Sequence, residues 1–244
     1  MNIKEKNITH IIDCESNGKT TLAKIISCEL KFNALIKIKG NVLTQNNILK
    51  LKKDIVTLYE NPNNIFVSDT VRKCISIVLK SKKLDEKKFD KDIEKVSKLL
   101  NIYNLLERNP LNLSGGEQQL VALLIGLIQK PKILIIDNAM DMIDSTRKKI
   151  VYKLLENLRK EGSTIVHFTT NSEDLLLGTN IIIINNGKVI LDKSVKKAFS
   201  NLDIYKDNNI ALPFIVELSS KLMYYKTIDK IYFDYKKLVN DLWN

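Results

Sequence analysis

Ser16-Asn17-Gly18-Lys19-Thr20-Thr21 closes a stretch, begun at Asp13, that fits GxxxxGK followed by Ser or Thr at every place but the first. Such a loop wraps phosphates with backbone N–H groups, reaches the terminal ones with its Lys, and holds magnesium with its hydroxyl. Asp13 stands where the first glycine is expected. It adds a Cβ at a tight turn and a carboxylate close to phosphate charge. At about 6 Å and an effective dielectric of about 20, that repulsion is roughly 3 kcal/mol per phosphate charge. Further along, Asp137 ends the apolar run Ile133-Leu134-Ile135-Ile136, where a carboxylate suits magnesium held through water. Asn138 follows, and its amide lacks the basicity to take a proton from an attacking water. Leu113-Ser114-Gly115-Gly116-Glu117 opens the apolar run Leu120 to Ile128, so a hydroxyl, backbone amides and a helix dipole face an anion. Taken singly, each has an ordinary explanation: a chance tripeptide, a common strand ending, a plain helix cap.

The elements that must position these residues alternate in type. Ile8 to Ile12 reads as a strand and Thr20 to Leu30 as the helix after the phosphate loop. Ile55 to Tyr59, Ile133 to Ile136, Ile165 to Phe168 and Ile181 to Ile184 are apolar runs suited to buried strands, with a helix over Ser145 to Glu161. An α/β fold with a mainly parallel sheet follows. Between Asp69 and Gln129 the pattern is helical, with Phe89, Ile93, Val96, Leu99 and Leu100 at helix spacing. Gly187 separates two short strands, and a tail with Pro213 carries helical patterns over Phe214 to Met223 and Asp234 to Leu242.

The order of phosphate loop, Ser-Gly-Gly helix start and strand ending in Asp137 resembles the ATP-binding cassette (ABC) family. The resemblance implies a P-loop NTPase (RecA-like) sheet over residues 1–200 with an inserted helical subdomain at about 65–128. It implies ATP and Mg2+ as ligands, with Ser16, Asn17, Gly18, Lys19, Thr20 and Thr21 on the nucleotide and Thr20 and Asp137 on the metal. Glu60, in Ile55 to Asn64, stands at the family's usual Q-loop glutamine and is a secondary metal candidate. Thr170 stands at the switch histidine, while strand alternation turns His167 to the opposite face and makes it a packed histidine. Asp13, Glu60, Asn138 and Thr170 are thus departures that point to a degenerate site whose occupancy by nucleotide stays open. The family's N-terminal antiparallel sheet and adenine-stacking aromatic are expected to be largely missing. In this family cassettes meet head to tail, so Ser114, Gly115, Gly116, Glu117 and the D-loop Asp144 would act in trans on a partner's ATP.

Asn61 to Val67 and Leu212 to Leu218 resemble segments of energy-coupling factor (ECF) transporter ATPases, in which a C-terminal extension, here 201–244, serves dimerisation. Partners implied are a second ABC ATPase subunit, a transmembrane coupling subunit near Glu60 to Val71, and a substrate-binding membrane subunit, placing the chain peripherally at the cytoplasmic face of the membrane. The leading expectation is an asymmetric subunit whose own site does not hydrolyse ATP. Alternatives are a non-catalytic structural or regulatory subunit, a nucleic-acid ABC protein and a decayed gene product. The formal charge of +11 over 244 residues comes from scattered lysines, so it reads as a solvated surface and no nucleic acid is expected. Cys14, Cys28 and Cys74 form no CxxC pair and read as small buried thiols of a reducing compartment.

Overall fold

The computed structural model describes residues 1–14, 18–30, 37–38, 41–42, 44 and 48–243. In chain order the strands are β1 (Ile8–Asp13), β2 (Lys37–Ile38), β3 (Asn41–Val42), β4 (Ile55–Tyr59), β5 (Ile133–Asp137), β6 (Thr164–Phe168), β7 (Asn180–Asn185) and β8 (Lys188–Ser194). The helices are α1 (Lys19–Ile26), α2 (Ile48–Lys52), α3 (Val71–Ser81), α4 (Glu86–Leu99), α5 (Gly115–Ile128), α6 (Ser145–Lys160), α7 (Val195–Ala198), α8 (Asp203–Asp207), α9 (Phe214–Tyr224) and α10 (Tyr235–Leu242). They form an α/β fold in two compact units.

The larger unit comprises Asn2–Ile8 and Gly18–Phe168. Its strands β4, β5 and β6 run parallel, with Tyr59 opposite Asp137 and Asp137 opposite Phe168. Between their ends they are apolar apart from Thr57 in β4 and His167 in β6, as suits parallel strands covered by helices on both faces. Helix α5 is buried from Gln119 to Ile128 and packs on α3, α4, α6 and β4. Around it α3 and α4 are amphipathic. Ile93 and Leu100 are both buried, since seven residues bring the chain back to within about 20° of one face. Leu99, expected in that core, is instead 46% exposed, because it lies about 120° from Ile93. Helix α1 also stops earlier than its composition suggests. Cys28, at φ 62°, turns the chain into the left-handed region, and the amides of Glu29 and Leu30 bond back to the Lys24 carbonyl. A short antiparallel pair, β2 with β3, was not apparent in the sequence.

The smaller unit comprises Thr9–Asn17 and Thr169–Asn244, with Met1. There β1 pairs parallel with β7, and β7 pairs antiparallel with β8. The hairpin turns through Asn186 and Gly187 at φ 48° and 70°, both left-handed as a tight two-residue turn requires. Ile12, Ile181, Ile183, Leu191, Phe199 and Tyr205 share its core with Ile215, Val216 and Leu238 from the tail helices. Helix α9 is tied in where Glu173 Oε1 accepts from the Phe214 amide at 2.6 Å.

Candidate functional site

The larger unit gathers two sets of the residues singled out above. In the first, α1 opens at Lys19, so Lys19, Thr20 and Thr21 fill its first turn. Gly18 offers no side chain to cap that turn and no acidic residue occupies it, and the helix dipole there favours an anion. Lys19 is buried, whereas Thr20 and Thr21 are exposed. Asp137, at the end of β5, is 3% exposed. Burial raises its carboxyl pKa, and the Thr20 hydroxyl and Lys19 charge pull it back in part. Its Oδ1 is buried and has no hydrogen-bond partner among the described residues.

A buried, unsatisfied carboxylate oxygen beside a hydroxyl fits a divalent cation, which would reverse the effect of burial on that carboxyl. Among the described residues no group of three or more His, Cys, Asp or Glu could hold a metal. Mg2+ takes one or two protein oxygens and completes its shell with water and phosphate. Asn138 sits at φ 51°, a left-handed conformation that Asn tolerates better than most residues. Its amide donates to the Phe168 carbonyl at 3.1 Å. Its side-chain Oδ1, also buried, has no hydrogen-bond partner among the described residues. That oxygen can accept a hydrogen bond, but it cannot remove a proton.

The second set surrounds the start of α5. Ser114 donates to Glu117 Oε2 twice, from its amide at 2.9 Å and its hydroxyl at 2.7 Å, and these bonds lower the Glu117 pKa. The hydroxyl expected to face an anion is therefore engaged within the chain. Both glycines lie against the loop after β5. A Cβ on Gly115 would meet Met142 Sδ at 2.4 Å, and one on Gly116 would meet the Met142 carbonyl oxygen at 2.8 Å. Asp144, expected to reach across an interface, caps α6 by accepting from the amides of Thr146 and Arg147 at 3.0 and 2.9 Å.

Glu60 is exposed just after β4. Its carbonyl accepts from Gln119 Nε2 at 3.4 Å, while Gln119 Oε1 accepts from the Met142 amide at 2.9 Å. Gln119 and Met142 were not singled out as site residues. The available signal was a pair of amides, Gln118 and Gln119, at the start of an apolar helix, of which one that is buried must find partners.

Asp13 and Thr170 belong to the smaller unit, Asp13 half-buried and Thr170 exposed. Ser16 and Asn17 lie outside the described residues. His167 is buried, its Nδ1 2.9 Å from the Tyr152 hydroxyl, so it is a packed histidine. Cys28 and Cys74 are buried as expected, but Cys14 is half-buried.

A mostly parallel α/β sheet, a lysine and threonine opening the helix after a phosphate-loop sequence, and a Ser-Gly-Gly helix start are the features of an ATP-binding cassette. A family model described as "ABC transporter" matches residues 1–141. The chain is 32% identical over 235 residues to the energy-coupling factor transporter ATP-binding protein EcfA1 of Mesomycoplasma hyopneumoniae (strain 7448), covering 96% of this chain and 85% of that one. It is 28% identical over 225 residues to EcfA of Pediococcus pentosaceus, covering 91% and 80%. Among solved structures, cbiO1 of Clostridium perfringens, part of the ABC transporter complex cbiONQ, matches with a TM-score of 0.69 at 27% identity over 90% of each chain. The chain belongs to the ABC transporter family and is a homologue of the ECF transporter ATP-binding proteins.

Proposed function

We propose that the chain is an asymmetric ATPase subunit of an ECF-type importer, presenting Ser114 to Glu117 and Asp144 to the ATP site of a second cassette. In its own site Lys19 is suited to the terminal phosphates, with Thr20 and Asp137 as the metal-holding pair. Mg2+ bound there would supply charge neutralisation at the phosphates. Asn138 then leaves the attacking water with a hydrogen-bond acceptor and no base. The contrast between that side-chain amide, which cannot act as a base, and the intact Leu113-Ser114-Gly115-Gly116-Glu117 sequence at the start of α5 supports the reading.

The remaining partners are a transmembrane coupling subunit near Glu60 to Val71 and a substrate-binding membrane subunit, with the chain peripheral to the membrane. The described residues include no helix long and apolar enough to cross a membrane. Residues 201–244 serve pairing in this reading, and the exposure of Phe214, Tyr224 and Trp243 supports it.

The test mixes the chain with a cassette that keeps its full phosphate loop and a Glu after its magnesium-binding Asp. Ser114→Arg should abolish turnover by the mixture and Lys19→Ala should spare it. Loss with Lys19→Ala alone would reverse the assigned roles.

A further inference from the structure

Gln119 is buried to 1% exposure and joins two loops that are far apart in sequence. Through Oε1 it accepts from the Met142 amide at 2.9 Å, and through Nε2 it donates to the Glu60 carbonyl at 3.4 Å. It lies one helical turn below Gly115 and Gly116, whose missing side chains make room for the same Met142. Met142 thus has its carbonyl close to Gly116, where a Cβ would meet it at 2.8 Å, and its amide held by Gln119. No other partner of the Met142 amide occurs among the described residues' backbone and side-chain bonds.

We propose that Gln119 is a positioning residue which fixes the loop carrying Met142 and Asp144, and the backbone at Glu60, in register with the Ser114 helix start. This rests on the proposed function, because the register matters to chemistry only if that helix start serves a second cassette's ATP. A buried amide with both ends bonded is a stiff link, since breaking either bond strands a polar group away from water. A leucine of similar size fills the space and makes neither bond. The consequence should fall on turnover once ATP is bound, not on capture of ATP, because Gln119 at 1% exposure has no surface of its own to offer a nucleotide.

Two measurements decide it, both on the full chain. By hydrogen exchange of the isolated protein, Gln119→Leu should speed exchange at the Met142 amide by about tenfold or more, with the protection of α5 and β5 kept. In the mixture with the intact cassette, Gln119→Leu should lower kcat by about tenfold or more and leave KM for ATP within about twofold, the split expected when an interaction acts only in the transition state. Gln119→Glu retains an acceptor for the Met142 amide and should exchange more slowly there than Gln119→Leu. Ser114→Arg is the control. If it abolishes turnover while Gln119→Leu leaves kcat unchanged, the positioning role is wrong and the proposed function stands. If Ser114→Arg has no effect, the proposed function fails and takes this role with it. Unchanged Met142 exchange in Gln119→Leu, or a rise in KM with kcat intact, would also overturn it.

Discussion

At the scale of single residues, Gly115 and Gly116 look alike in sequence and differ in what faces them. A methyl on Gly115 meets the end of the Met142 side chain, which is 61% exposed and free to swing outward. A methyl on Gly116 meets the Met142 carbonyl oxygen, and only a backbone shift relieves it. Gly115→Ala should therefore cost under about 1 kcal/mol, and adding Met142→Ala should erase that cost. Gly116→Ala should cost about 1–3 kcal/mol, the range for overpacking, and Met142→Ala should not rescue it because the carbonyl remains. Denaturant midpoints of the three variants check this. Equal penalties for the two glycines would show that the loop, not the side chain, yields in both. Asn138 illustrates the same dependence on surroundings: its type predicts the lost base, but its left-handed φ and unpartnered Oδ1 are facts of the fold.

At the scale of elements, local patterns were readable and tertiary register was not. The strands β4 to β7 are visible because buried strands are largely apolar runs, broken within by Thr57 in β4 and His167 in β6, and α6 because its cap and charges surround an apolar stripe. The end of α1 was missed because it depends on Cys28 adopting a positive φ, which the residue type does not announce. The Gln119 bridge was missed because its partners lie 59 and 23 residues away.

The packing of α6 on β6 belongs to this scale too, and it makes stability depend on pH. His167 in β6 meets Tyr152 of α6, and burial, reinforced by the Lys148 charge, pushes its pKa down to about 3. The unfolded imidazole titrates near 6.5. Above that value neither state carries the proton and the full stability is present. As pH falls from about 6.5 towards 3 the unfolded chain takes up a proton that the folded one refuses, and stability drops by about 1.4 kcal/mol per unit. Unfolding free energies should thus fall by about 2 kcal/mol from this residue between pH 6.5 and 5. His167→Gln should be less stable at pH 7.5 yet show a shallower slope below 6.5. A parallel slope in that variant would assign the acid sensitivity to other groups.

At the scale of the whole molecule, the two cores separate what must fold from what is available to bind. The smaller unit buries Leu238 to 2% exposure on α10, while Tyr224 at 81% and Trp243 at 84% stand in solvent at the ends of α9 and α10. Large aromatics left out of a core contribute little to folding, and aromatics of this kind are enriched where proteins meet. Leu238→Ala should cost about 2–5 kcal/mol of folding stability, as for other buried leucines. Tyr224→Ser combined with Trp243→Ser should change the melting temperature little and weaken association with the second cassette. Because pairing follows mass action, turnover of the mixture with this double variant should fall at low protein concentration and recover as concentration rises. Sedimentation velocity of the mixture supplies the association constant directly. If the double variant pairs as tightly as the unaltered chain, residues 201–244 do not form the pairing surface, and the head-to-tail contact at Ser114 must hold the two cassettes without them.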